Sequence, residues 1–172
     1  MTTMKNNAAA TIVRALIALG AALVLGALGH AIQAKERIKR DGEIVYLELA
    51  PVDPRSLIQG DYMALRFALA RELQQRDGAA GTHALREGEI AAAPVSLDPR
   101  RVAHLAPSGA PATLTLRYRI RNGQVWLGTN AFFFEEGTAD RYSGARYGEF
   151  RVDRASGEAV LVGLRNAQLE AM

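Results

Sequence analysis

The sequence predicts an α+β, β-rich protein: an N-terminal transmembrane helix followed by one small, mainly antiparallel β domain with one or two short helices. Three observations carry this prediction. Residues 15–32 form an apolar run with no polar stripe. Short segments of two-residue alternation recur through the rest of the chain, and few of the stretches between them favour helix. The expected organisation is a membrane anchor and juxtamembrane helix over 1–40 and a soluble domain over 41–172. The chain has 172 residues, 49% of them apolar, which suffices for one domain with a proper core.

The first element is "ALIALGAALVLGALGHAI", Ala15 to Ile32, whose only polar side chain is His30. Eighteen helical residues span about 27 Å, close to the thickness of a hydrocarbon core. A cleavable signal peptide is the rival reading. Lys5 and Arg14 make a basic start, and Gly29-His30-Ala31 is a passable cleavage site. The apolar run is longer than most signal-peptide cores, and "QAKERIKR" continues as good helix former, which favours a retained anchor. Four basic residues follow the span and two precede it, and a simple positive-inside count would put the body in the cytoplasm. Long domains translocate largely regardless of local charge, so the reading adopted is a periplasmic body.

The body opens with "GEIVYLELAPVDP". Val45, Leu47 and Leu49 alternate with Ile44, Tyr46 and Glu48, and Pro51 ends the strand. "PVDPRSLIQG" reads as a turn-rich loop. In "DYMALRF", Met63, Leu65 and Phe67 share one face, and Tyr62, Ala64 and Arg66 the other. "ALARELQQR" prefers helix, "DGAAGTHALREGE" reads as loop and "IAAAPVSL" as strand. "DPRRVAHLAPSGAP" reads as a second polar connection. "TLTLRYRIRNGQVWLG" is the clearest element, a hairpin about Asn122-Gly123, the preferred pair for a type I′ turn. That turn sets Ile120 opposite Val125 and Tyr118 opposite Leu127. It also sets Arg119 opposite Trp126, at a distance suited to a cation–π contact. "AFFF" is a further strand, for which burial of at least two rings is expected. "EGTADRYSGAR" suits a short helix, and "YGEFRVDRASGEAVLVGL" is a last hairpin about Ser156-Gly157.

Composition excludes several functions. There is no cysteine, so there are no disulfides, no thiolate metal sites and no Cys nucleophile. Residues 1–40 hold six basic residues against one acid, a net of +5. Residues 41–172 hold 15 arginines against 17 acids, a net of −2. The body is mildly acidic, which argues against nucleic-acid binding. No metal spacing or phosphate-binding glycine loop is present, and no cofactor is expected. Glu135 and Glu136 are consecutive, so on a strand they point to opposite faces and make a poor acid–base pair.

The most specific stretch is "SLIQGDYMALRF". A Ser56 nucleophile would need a buried, neutral lysine or a histidine as its base. Every lysine lies at or before Lys39, and His83 and His104 sit in loop segments without a signature. Turn chemistry explains the same residues. Gly60 is expected to take a positive φ, and Asp61 to hold backbone N–H groups of the preceding loop or to pair with Arg55. Tyr62 then starts the strand.

"PVDPRSLIQGDYMALRF" resembles the GDYXXLXY protein family. Gly60, Asp61, Tyr62 and Leu65 match its motif, and Phe67 stands at the final Tyr position. "FFFEEG" at 132–137, the closing hairpin and the N-terminal apolar segment are also similar to the family. The resemblance implies a membrane-anchored extracytoplasmic domain, often encoded beside a multi-pass membrane protein, and the expected location is the bacterial inner membrane. It implies no reaction, and a role other than an enzyme is expected. The expected function is that of an accessory or interaction protein of such a partner. The candidate residues are Asp53, Arg55, Gly60, Asp61, Tyr62 and Leu65, with Glu136 and Gly137 as a facing patch. One alternative is an envelope hydrolase whose acidic site joins Asp53, Asp61 and Glu136. Another is a small-ligand or polysaccharide module using Tyr62, Trp126 and the rings at 132–134.

Overall fold

The structure is a computed structural model that describes residues 3–50, 58–59, 62–80 and 87–172, with side chains described over 12–50, 62–76 and 87–172. The chain forms two compact units, Met1–Arg37 and Ile38–Met172. The described part of the first belongs to helix α1, Thr3–Asp41. Its alanines and leucines are strong helix formers, and no proline interrupts it. Leu16, Ile17, Leu23, Val24, Leu25 and Leu28 are all exposed. This helix is long and apolar enough to cross a membrane, as the unbroken run predicts. α1 stops where the Gly42 N–H donates to the Ile38 carbonyl at 2.8 Å. A Cβ on Gly42 would lie 2.4 Å from that same oxygen, so only glycine allows the exit.

The second unit begins with β1, Glu43–Glu48. β9, Tyr147–Val152, and β10, Ala159–Arg165, complete an antiparallel sheet in the order β1-β9-β10. Val45 and Leu47 are fully buried, as their alternation predicts, and pack with Phe150, Val152 and Leu164. A second sheet holds β4, Ile90–Leu97, β5, Ala103–Leu105, β6, Leu114–Arg121, and β7, Gln124–Trp126, in the order β5-β4-β6-β7. A third, of order β2-β3-β8, joins β2, Ile58–Gln59, β3, Tyr62–Ala64, and β8, Ala131–Phe133. Every ladder among these strands is antiparallel. Helix α2, Ala68–Ala80, buries Leu69 and Leu73 in the common core. The fold class predicted from sequence is therefore the observed one.

The hairpin predicted at Asn122-Gly123 forms with the expected register, Ile120 opposite Val125 and Arg119 opposite Trp126. Both turn residues are left-handed, with φ of 50° and 67°, as a type I′ turn requires. Pro94 lies within β4, where proline normally breaks a ladder. Its carbonyl accepts the Ala106 N–H, and the missing donor points to the same side, beyond the Val95–Leu97 pairing with β5.

Three expectations need correction. The segment read as a polar connection contains β5, because Asp98 folds it back. Asp98 Oδ1 accepts the Val102 N–H at 2.8 Å, Arg101 turns with φ of 66°, and Ala103 and Ala106 bury against β4. Three residues are too few to display a period. Asp77 to Ala80 belong to α2 and not to a loop. The cation–π contact on Trp126 comes from Arg121, 5.2 Å from the ring centroid, and not from Arg119. A long side chain two positions along the same face reaches a diagonal neighbour across a twisted hairpin.

Candidate functional site

The described part of the motif runs through β3 and into α2. Alternation holds: Met63, Leu65 and Phe67 are buried, while Tyr62 is half-buried and Arg66 exposed. Phe67 packs edge-to-face on Phe150 at 5.4 Å and passes close to Gly148, where a Cβ would lie 3.1 Å from its ring. The ring at this position is thus a core element, and the absent hydroxyl is not missed there.

On the other face, Tyr62 pairs across the ladder with Phe133, their centroids 5.8 Å apart. Phe133 is 75% exposed. Its neighbours are anchored. Phe132 meets Tyr142 edge-to-face at 5.1 Å, and Phe134 stacks on the same ring at 5.3 Å. Two of the three phenylalanines are therefore half-buried, and the middle one projects from edge strand β8. Glu135 and Glu136 are exposed beyond it. Gly137 is left-handed, with φ of 78°, in a turn closed by the Thr138 N–H and hydroxyl on the Glu135 carbonyl. Of the sequence-predicted residues, the structure places Tyr62, Leu65, Glu136 and Gly137. Asp53, Arg55, Ser56, Gly60 and Asp61 lie outside the described residues, so the elbow and the proposed acidic triad are not placed.

The sequence reading missed a cleft at the end of the motif. Leu65, Phe67 and Val125 form its floor, and its volume is about 110 Å³. Arg66 and Arg71 line it, together with Gln74, Gln124 and Asn130. Gln74 donates to the Gly123 carbonyl at 2.9 Å, fixing α2 to the hairpin turn. The two stretches that meet here, 65–74 and 124–130, are far apart in sequence, so no local pattern announces the cleft.

Ion pairs elsewhere tie connections to the first sheet. Glu149 is buried at 5% exposure and pairs with Arg165 on β10. Glu43 lies between Arg154, which pairs with Oε2, and Arg101, which donates to Oε1 at 2.7 Å. Arg154 first, and Arg101 with it, hold the Glu43 carboxyl below the usual carboxylate range against the opposing effect of burial. Among the described residues no group of three His, Asp or Glu side chains gathers as a metal site would need.

A family model described as GDYXXLXY protein matches residues 24–164. The chain belongs to the GDYXXLXY protein family. The match begins inside α1 and runs to Leu164 in β10, so it takes in the strand pairs and α2 as well as the motif. In this GDYXXLXY protein the motif therefore does two visible things: its inward side chains build the core, and Tyr62 presents an aromatic face with Phe133. No curated protein and no solved structure matches the chain.

Proposed function

We propose that this chain is a single-pass, inner-membrane accessory subunit whose β-rich body lies in the periplasm and binds a multi-pass membrane protein. It acts by contact and not by catalysis. The observation that supports this reading most is the Tyr62–Phe133 pair. A phenylalanine three-quarters exposed on an edge strand, with its two neighbours clamped by Tyr142, is a rigid apolar projection. Its ring is held at little entropic cost, which suits an anchor residue at an interface. The apolar helix α1 supplies the common location, since a chain held in a membrane meets partners in that membrane.

The test is affinity purification from membranes in mild detergent with the body tagged. The expected result is a stoichiometric multi-pass protein that is lost with Phe133→Asp, while the melting temperature of the variant stays near wild type. Recovery of the chain alone from wild-type membranes, or a partner retained in full by Phe133→Asp, overturns the reading.

A further inference from the structure

We infer that the cleft between the end of β3, α2 and the hairpin turn is a binding site for a small oxyanion, a carboxylate or a phosphate. Two arginines, Arg66 and Arg71, line it, and among the described residues neither side chain has a carboxylate or hydrogen-bond partner. Four other arginines of the body are matched to carboxylates: Arg101 and Arg154 on Glu43, Arg165 on Glu149, Arg117 on Glu158. Among the described residues the remaining polar lining is neutral amide, from Gln74, Gln124 and Asn130, and contains no acid. A body with more acids than bases thus gathers two bases around one depression, without a counter-charge among the described residues. Guanidinium groups present forked donors that fit planar or tetrahedral oxyanions, and the amides add neutral donors. The volume of about 110 Å³ is well below the roughly 300–1,000 Å³ of a site for a drug-sized ligand. The cleft therefore takes one charged group, with any apolar body of the ligand resting on Leu65, Phe67 and Val125. Both arginines are exposed, so binding is modest and weakens as salt rises.

The test uses the full chain in phosphatidylcholine nanodiscs, labelled with nitrogen-15. The arginine Nε–H and glutamine and asparagine amide resonances are followed by NMR. Those of Arg66 and Arg71 are identified by their loss in Arg66→Gln and Arg71→Gln. Titration with inorganic phosphate and, separately, with sodium acetate is expected to shift these signals saturably. Each arginine variant should weaken binding about tenfold, as loss of a charge-assisted hydrogen bond predicts, while Arg119→Gln leaves it unchanged. Nanodiscs containing phosphatidylglycerol, without added ion, form a further arm. A shift there alone assigns the oxyanion to a lipid headgroup; a shift with the free ions assigns it to a soluble ligand. Either supports the site. No saturable shift with any of the three probes, or equal affinity in both arginine variants and wild type, overturns it. These outcomes are independent of partner recovery through Phe133.

Discussion

Gly157 and Gly137 both take a left-handed backbone, but their surroundings differ. A Cβ on Gly157 would lie 2.8 Å from the Thr115 carbonyl, whereas one on Gly137 would meet nothing within 4 Å. Gly157→Ala combines backbone strain with a clash against a strand and should cost about 2–4 kcal/mol; Gly137→Ala carries the strain alone, about 1–2 kcal/mol. Urea denaturation midpoints of the two variants should fall in that order, and the reverse order would contradict the packing described. A second residue-scale prediction concerns Glu149. Removing a buried carboxylate leaves Arg165 without its partner, so Glu149→Ala should cost about 2–4 kcal/mol. The double variant Glu149→Leu, Arg165→Met should recover much of that loss in the same assay. At this scale the sequence is readable where a period exists. Met63, Leu65 and Phe67 are buried because two-residue alternation on a half-buried strand leaves no other choice. That Phe133, and not Phe132 or Phe134, faces out depends on its register with Tyr62 and on Tyr142. Tyr62 lies far away in the chain, and Tyr142 lies past an intervening turn.

At the scale of elements, the turn between β9 and β10 and the start of β1 share a pH dependence. Asp153 Oδ1 accepts the Ala155 N–H at 3.0 Å and Oδ2 the Ser156 hydroxyl at 2.8 Å. These bonds, the Ala155 one foremost, hold its carboxyl below the ordinary value of 3.8. Glu43, beside Arg154, is likewise held below 4.5. Both are more acidic folded than unfolded. Their stabilisation is present above the ordinary carboxylate values and is lost as pH falls through the lowered ones. The melting temperature should therefore drop below about pH 4.5, and Glu43→Gln should make that drop shallower while lowering stability at neutral pH. A variant with an unchanged acid limb would sink this account. The elements themselves were legible where turn chemistry is strong, as at Asn122-Gly123 and Ser156-Gly157. β5 was hidden because its existence depends on a side-chain bond from Asp98, and the arginine cleft because its walls come from two stretches, Leu65–Gln74 and Gln124–Asn130, distant in sequence.

For the whole molecule, the uninterrupted apolar helix carries a topology prediction. The mature chain should keep residues 1–31, and an alkaline-phosphatase fusion after Met172 should be active. A chain beginning near Ile32 would mean a removed signal peptide. An inactive phosphatase with an active cytoplasmic reporter would mean that the four basic residues after the span set the orientation. The fusion needs a flexible linker, since the Met172 N–H donates to the Leu164 carbonyl and Ala171 bridges to Arg165.

β1 pairs with β9, Glu43 opposite Val152, across nearly the whole length of the body. This pairing imposes an order in time. A chain made from its N-terminus presents β1 about a hundred residues before its partner exists, an interval of roughly 5–20 seconds at ordinary rates of synthesis. Throughout it the edge of β1 that pairs with β9 has no native partner, and the inward side chains Val45 and Leu47 lack Phe150 and Val152. Closure of the first sheet is thus a late event that awaits nearly complete synthesis, and long-range pairing of this kind is intrinsically slow. Nascent chains halted before Tyr147 should be digested readily over the body, with resistance appearing only once the closing hairpin has emerged.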